Sequence, residues 1–203
     1  MDYTSITIAL GVVLLSLTVH EAAHAWTADR LGDPTARMLG RVSFNPIVHM
    51  DLIGTVVLPL LAVATGFPVI GWAKPVPVNM SRLRQPRRDF MIVAAAGPVS
   101  NILLATLAAV GFHLLLTETP GLLIQLLYMV IQINVLLAVF NMIPIPPLDG
   151  GNVLAGVLPP AGAAVFEQLR PWGFLILYAL VLTDVLWTLI VPPRDFILGL
   201  LLP

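Results

Sequence analysis

Long apolar stretches leave this chain few possible folds. Four of them could each cross a membrane as a helix: residues 3–28, 90–117, 121–143 and 172–191. A helix needs about 20 mainly apolar residues to cross a hydrocarbon layer about 30 Å thick. Only 10% of the 203 residues are charged, against about 25% in a soluble domain. We therefore expect an all-α, multi-pass membrane protein with about four transmembrane helices, in which residues 1–203 form one membrane-embedded domain.

The first apolar stretch ends in the pattern H-E-x-x-H, formed by His20, Glu21 and His24. Residues four apart lie above one another on a helix, so the two imidazoles share a face and can bind one divalent metal. Glu21 is placed to act as general base on a water at that metal, as in zinc hydrolases. The alternative is that both His residues lie in a helix interface while Glu21 extends towards water. Ionisable groups are costly in an apolar helix, which favours the metal site.

A third metal ligand is expected, because a catalytic zinc usually takes three from the protein. The chain has no cysteine, so this ligand must be a His or a carboxylate. Asp149 is the candidate, since it follows a proline-rich break at 144–147 that ends the span 121–143. The alternative role of Asp149 is to cap a short helix starting near Gly151.

The position of Asp149 depends on residues 52–73, which are uncharged but interrupted by Pro and Gly. If this stretch spans the membrane, Asp149 and His24 lie on opposite faces. If it re-enters, they share a face, and nine of the ten Lys and Arg residues lie there too, leaving Arg194 on the other side. Because positive residues mark the cytoplasmic side, we expect a re-entrant segment, an N-terminus outside the cell membrane, and a site towards the cytoplasm.

Residues 71–79 are predicted to form a short, membrane-associated extended segment. Pro75 and Pro77 lack N–H groups on one edge of it, so the other edge keeps its donors and could accept a partner strand. Further along, we expect a surface helix at 161–169, with Asp184 inside the last span. Pro192 and Pro193 should end that span and leave an interfacial tail.

Three motifs resemble those of the site-2 protease family of intramembrane zinc metalloproteases. They are His20-Glu21-Ala22-Ala23-His24, the N-x-x-P-x-P-x-L-D-G pattern from Asn141 to Gly150, and the G-P-x-x-N element from Gly97 to Asn101. Residues 71–79 are similar to the corresponding segment of small bacterial members without PDZ or CBS domains. The resemblance covers residues 1–158 and leaves a C-terminal helix and tail at 159–203.

The resemblance implies one zinc ion held by His20, His24 and Asp149, with Glu21 as catalytic base. It also implies hydrolysis of a peptide bond in or near the transmembrane helix of a membrane-protein substrate, as in regulated intramembrane proteolysis. The expected partners are that substrate and the lipid bilayer. No nucleic-acid-binding patch is present in the sequence, and the oligomeric state stays open.

Several further residues are candidates for substrate binding or for support of the site: Asn141, Asn101, Trp72, Lys74, Val76 and Val78. Residues 71–79 could supply an edge strand to an unwound substrate. Asn101 is an interhelical contact or a catalytic group, with the first favoured. Asn141 either donates to the substrate or holds the broken helix, and the sequence does not separate these roles.

Two other functions could use the same residues. A divalent-ion carrier could use the same ligands, but it needs ionisable residues along a path across the bilayer, and only Asp184 lies outside the cluster. A catalytically silent scaffold for membrane helices would have no use for a buried base such as Glu21. The sequence therefore favours a zinc metalloendopeptidase.

Overall fold

The computed structural model describes residues 3–58, 61, 72–115 and 121–203, and of residues 3–6 and 56 only the backbone. None of these residues forms a β-strand, and the described chain is helical. The helices are α1 (Tyr3–Arg30), α2 (Thr35–Met38), α3 (Pro86–Leu115), α4 (Leu122–Asn141), α5 (Asp149–Val157), α6 (Pro160–Leu169), α7 (Gly173–Leu182) and α8 (Val185–Leu201). The predicted all-α class is confirmed.

Four helical stretches are long and apolar enough to cross a membrane: Thr7–Arg30, Pro86–Leu115, Leu122–Asn141 and Pro160–Leu182. The first three correspond to the spans predicted at 3–28, 90–117 and 121–143. These three spans could be predicted because long apolar stretches with few charges are the clearest sequence feature of transmembrane helices. The multi-pass architecture is therefore confirmed.

The fourth span was wrongly placed at 172–191. In the structure α6 is followed by a 3-10 turn at Arg170–Trp172 and then directly by α7, so the helical stretch begins at Pro160. Pro171 does not break it, because a proline is tolerated in the first turn of a helix, where its N–H would have no partner anyway. The predicted surface helix at 161–169 is thus the first part of this stretch.

Asp184 was expected inside a span but lies at a turn between two helices. Its φ of 57° is left-handed, which ends α7 and allows α8 to start in a new direction. Its side chain is exposed. This exposed turn differs from the position inside a span on which both predicted alternatives, a helix partner and a polar cavity, depended.

Pro192 and Pro193 do not end a helix, contrary to the prediction, because α8 continues through them to Leu201. A proline inside a helix removes a hydrogen bond and crowds the preceding turn. On α8 this cost is offset by packing, since Leu186, Ile190 and Leu198 are buried in the apolar core shared with α4. Of the eight residues expected to form an interfacial tail, 196–203, those up to Leu201 are part of this packed helix.

Helices α1, α3 and α4 pack side by side in alternating directions. His24 contacts Val93 while His20 contacts Asn101, so α1 and α3 run antiparallel. The buried alanines Ala105, Ala108 and Ala109 line the contact of α3 with α4. Small residues let membrane helices approach closely, because van der Waals packing rather than the hydrophobic effect holds them together in lipid.

The predicted re-entrant stretch lies mostly outside the described residues. Its start, Leu52–Val57, forms a π-helical turn, and Asp51 caps that turn by accepting hydrogen bonds from the N–H groups of Ile53 and Gly54. Residues 72–79, the described part of the predicted extended segment, form neither helix nor strand. We refer to residues 72–79 as the proline segment.

Candidate metal centre

The structure brings His20, His24 and Asp149 together at one point. The Nε2 atoms of the two imidazoles lie 3.0 Å apart. The Oδ2 atom of Asp149 lies 3.1 Å from His20 Nε2 and 3.3 Å from His24 Nε2. The α1 helix supplies both imidazoles, and the Asp149 carboxylate arrives from the start of α5, 125 positions along the chain from His24. This is the arrangement that the topology argument requires.

The three donor atoms have the spacing and chemistry of a zinc site. Ligands at about 2.0–2.2 Å from a tetrahedral zinc are about 3.3–3.6 Å apart, close to the 3.0–3.3 Å observed. Asp149 Oδ2 is buried, yet it has no properly oriented hydrogen-bond partner among the described residues. A buried carboxylate oxygen facing two imidazole nitrogens in this way is what a shared cation would satisfy.

Gly97 on α3 leaves the space that a cation would need. A Cβ atom at this position would lie 2.4 Å from His24 Nε2 and 2.6 Å from His20 Nε2. Any larger residue would therefore fill the space in front of the ligands. The donor set, the unpartnered oxygen and this opening together fit a bound zinc ion.

Both imidazoles are held with Nε2 facing the cluster. His20 Nδ1 lies 2.6 Å from Asn101 Oδ1, and His24 Nδ1 lies 2.7 Å from the carbonyl oxygen of Val93. Each of these oxygens can only accept, so each Nδ1 carries a proton and each Nε2 is the nitrogen left for a metal. Partners of this kind fix the orientation of metal-binding histidines.

Asp149 was predicted to be either a metal ligand or a helix cap, and its place in α5 bears on the choice. The N-cap of α5 is Leu148, and the described structure contains no side-chain capping hydrogen bond there. The cap expected near Gly151 is therefore wrong, and Asp149 points to the imidazoles instead. Gly150 lets the chain make this approach, because a Cβ there would lie 2.2 Å from the carbonyl oxygen of Met142.

The charge state of Asp149 suits a cation ligand. Burial raises the pKa of its carboxyl, but the neighbouring imidazoles of His20 and His24 lower it, and the net pKa lies below the ordinary value. The carboxylate is consequently ionised at neutral pH. With a metal bound, this carboxylate and the two imidazole Nε2 atoms would form a ligand set typical of catalytic zinc.

Glu21, the predicted base, is half-buried and faces the proline segment. Its Oε2 accepts a hydrogen bond from the backbone N–H of Val76 at 3.2 Å. The Lys74 N–H donates to the carbonyl oxygen of His49 at 2.9 Å. Two donors on the edge predicted to accept a partner strand are thus already used within the chain, so a substrate would have to compete for them or use other groups.

The remaining candidate residues differ in whether they contact the triad, by which we mean His20, His24 and Asp149. The indole of Trp72 is tilted against the ring of Phe174, with centroids 5.7 Å apart, which joins the proline segment to α7. Val78 is half-buried. Asn141 donates to the carbonyl oxygen of Leu137 in its own helix at 3.0 Å, as expected if it holds the broken end of α4. Asn101 is the one of these that contacts a triad residue.

Sequence reasoning missed Arg41, which holds the proline segment in place. This buried side chain donates to the carbonyl oxygens of Val48, Lys74 and Pro75. Burial lowers the pKa of the Arg41 guanidinium, while the nearby carboxylate of Glu21 opposes that change. In the sequence Arg41 is only one of several basic residues after the first span, and hydrogen bonds to backbone carbonyl groups leave no pattern that would single it out.

Asp33, also missed, fixes the far end of the proline segment. Its carboxylate accepts hydrogen bonds from the Thr35 N–H at 3.1 Å, the Thr35 hydroxyl at 2.5 Å and the Asn79 N–H at 2.6 Å. Burial raises the pKa of Asp33, but these hydrogen bonds together lower it by more than burial raises it. The net pKa of Asp33 is therefore below the ordinary value. The loop after α1 therefore positions the segment that faces Glu21.

Comparison with known proteins identifies the family. The model of peptidase family M50 matches residues 117–183. A protein of Bacillus subtilis (strain 168), named "Putative zinc metalloprotease YwhC", is 38% identical over 212 residues, which cover 98% of this chain and 91% of the relative. The chain belongs to peptidase family M50. The resemblance to the site-2 protease family is thereby confirmed.

Other M50 relatives extend this result. "Putative zinc metalloprotease Rip2" of Mycolicibacterium smegmatis is 31% identical over 176 residues, covering 85% of this chain and 66% of that protein. "Putative zinc metalloprotease MJ0611" of Methanocaldococcus jannaschii is 47% identical over 66 residues, covering 30% of this chain and 31% of the relative. No solved structure is significantly similar to the chain. The metalloprotease family and the helices long enough to span a membrane agree with the prediction of a membrane-embedded zinc metalloprotease.

Proposed function

We propose that this chain is an intramembrane zinc endopeptidase that cleaves a peptide bond in or near the transmembrane helix of a membrane protein. The observation that carries the proposal is the convergence of His20, His24 and Asp149 between helices long enough to cross a membrane. The names of the M50 relatives support zinc as the metal. In this proposal one ion binds, the N-terminus lies outside, and the site lies towards the cytoplasm.

The chain's own residues would divide the work of hydrolysis. Bound zinc would lower the pKa of a coordinated water towards about 7 and polarise the scissile carbonyl. Glu21 would take a proton from the attacking water and deliver it to the leaving amide nitrogen. The Val76 N–H, which donates to Glu21, orients that carboxylate.

The substrate helix must unwind before its peptide bond can react. Backbone groups in a helix are paired with one another, and in lipid an unpaired group costs several kcal/mol. The proline segment lies beside Glu21 and could pair with the exposed backbone. Because the Lys74 and Val76 N–H groups are engaged within the chain, a substrate strand would displace them or use the opposite edge. On that edge the Pro75 carbonyl already accepts from Arg41, so the Pro77 carbonyl is the better candidate.

The direct test is cleavage of single-span peptides by the purified full-length chain in detergent or vesicles. We expect cleavage that stops with a chelator and returns with added zinc. Glu21→Gln should keep zinc but lower the cleavage rate about 10²–10⁴-fold, because only the base is lost. Glu167→Gln is the matched control, since Glu167 is exposed and paired with Arg170.

Two outcomes would contradict the proposal. One is a Glu21→Gln protein that cleaves like the wild type, which would remove Glu21 from the chemistry. The other is zinc transport into vesicles without cleavage of any peptide, which would favour a carrier that uses the same ligands.

A further inference from the structure

A chain of buried polar side chains leads from the metal cluster across three helices. Asn101 Oδ1 accepts the proton of His20 Nδ1 at 2.6 Å, and Asn101 Nδ2 donates to Asn134 Oδ1 at 2.8 Å. Asn134 Nδ2 donates to the hydroxyl of Ser16 at 2.9 Å and to the carbonyl oxygen of Val130 at 2.9 Å. Asn101 and Asn134 are both 0% exposed. This chain runs from α1 through α3 and α4 and back to α1.

The direction of each hydrogen bond is set by the partners of Asn134. The Val130 carbonyl oxygen can only accept, so the Asn134 amide must present its NH₂ group to α4 and Ser16. Its oxygen is then left for Asn101, which must present its own NH₂ group in return. The Asn101 oxygen consequently faces His20, where only a protonated Nδ1 can meet it.

Burial explains why the two amides keep this orientation. An amide rotated the wrong way would place two oxygens or two NH₂ groups against each other with no water to relieve them. Each buried polar group without a partner costs about 1–3 kcal/mol. Asn134, with a longer contact from Asn101 Nδ2 to the carbonyl oxygen of Ser16 at 3.5 Å, therefore selects one orientation of Asn101. Asn134 itself touches neither the cluster nor Glu21 in the described structure.

We propose that Asn134 is a positioning residue for the metal site, acting through Asn101 to keep His20 Nδ1 protonated and His20 Nε2 free as a ligand. This inference rests on the proposed zinc site. It adds a residue outside the three motifs, on a helix that supplies no ligand. Removing the Asn134 amide should weaken zinc binding, and it should do so only while Asn101 is present to transmit the effect.

The test is a double-mutant cycle on zinc affinity, measured by competition with a chromophoric chelator on the purified, metal-free chain. Outer-shell partners of metal ligands are worth about 10–100-fold in affinity. We expect Asn101→Leu to weaken binding within that range and Asn134→Leu to weaken it about tenfold. Asn101→Leu combined with Asn134→Leu should bind like Asn101→Leu alone, because residues that act through one another are not additive.

Matched variants separate this effect from general damage to the fold. Gln132→Leu removes an amide from the same helix, two residues away, and should bind zinc like the wild type. Asn134→Asp keeps an oxygen for the Asn101 NH₂ group and should bind more tightly than Asn134→Leu. If Asn134→Leu does not fold, Ser16→Ala tests the chain from its far end, with a smaller loss that vanishes in the Asn101→Leu background.

The inference and the proposed function fail in different ways. His20→Leu that binds zinc like the wild type would contradict the proposed site itself. His20→Leu that loses zinc, together with an Asn134→Leu protein that binds like Gln132→Leu, would overturn only the inference. Additive losses in the double variant would also overturn it, since they would show that Asn134 acts on stability and not through Asn101.

Discussion

At the scale of single residues, the site brings together buried polar atoms that lack a hydrogen-bond arrangement satisfying all of them. Two imidazole nitrogens and a carboxylate oxygen lie within 3.3 Å of one another, and a glycine faces them from α3. Desolvated groups of this kind need a common partner. A bound metal would explain both the ligands and the absence of a side chain at Gly97.

Gly97→Ala should strongly weaken zinc binding, because the two imidazoles must shift to admit the added methyl group. The added Cβ would lie 2.4 Å from His24 Nε2, too close for any cation to bind between them. We expect the zinc affinity of the purified variant to fall about 100-fold or more, at or beyond the range for outer-shell changes.

Gly11→Ala is the matched control for Gly97→Ala. No described atom outside its own helix lies within 4 Å of a Cβ placed there, so zinc affinity should be unchanged. Equal zinc affinities for the two alanine variants would show that Gly97 does not face the metal.

At the scale of elements, the proline segment is positioned by side chains from the loop after α1. Arg41 holds its middle and Asp33 holds its end, while the segment in turn donates to Glu21. None of these contacts follows from periodicity, since each joins a side chain to a backbone group far along the chain. They are the part of the site that sequence could not predict.

The anchor at Asp33 should depend on pH. Its pKa is lower in the folded chain than in the unfolded one, so its stabilising effect is complete above about pH 4 and is lost as the pH falls through the folded pKa. A fluorophore attached at Met80→Cys in this cysteine-free chain should report lower anisotropy as that happens. The metal-free chain is used so that loss of zinc does not contribute.

The Asp33→Asn variant is the control for this experiment. Without a titrating group at position 33, the anisotropy should change little over the same pH range. A fall of the same size in both proteins would mean that Asp33 is not the group that releases the segment.

At the scale of the whole molecule, sequence predicted most of what the fold needs to form the site. Three spans followed from hydropathy, and the charge distribution, with the need for a third ligand, chose the topology in which Asp149 faces His24. Local rules failed at the C-terminus, where packing of Leu186 and Ile190 outweighed Pro192 and Pro193. Asn134 was missed because a single amide in an apolar helix does not reveal its partner.

The proposed topology places Arg84 in the cytoplasm and Asp184 outside. In intact cells, Arg84→Cys should resist a membrane-impermeant thiol reagent, whereas Asp184→Cys should react, because the span Pro160–Leu182 separates it from the cytoplasmic side. Both positions are exposed, so accessibility of the side chain does not decide the result. Ready labelling of Arg84→Cys from outside would contradict the topology.

The zinc content of purified Asp149→Asn protein tests the central claim most directly. A neutral amide is a poor substitute for a charged oxygen, and Asp149 does not cap α5, so the fold should persist while the metal is lost. We expect one zinc ion per chain in the wild type and in the control Asp195→Asn, whose carboxylate is exposed beside Arg194, but little zinc in Asp149→Asn. Full zinc occupancy in folded Asp149→Asn would contradict the claim that His20, His24 and Asp149 hold the metal.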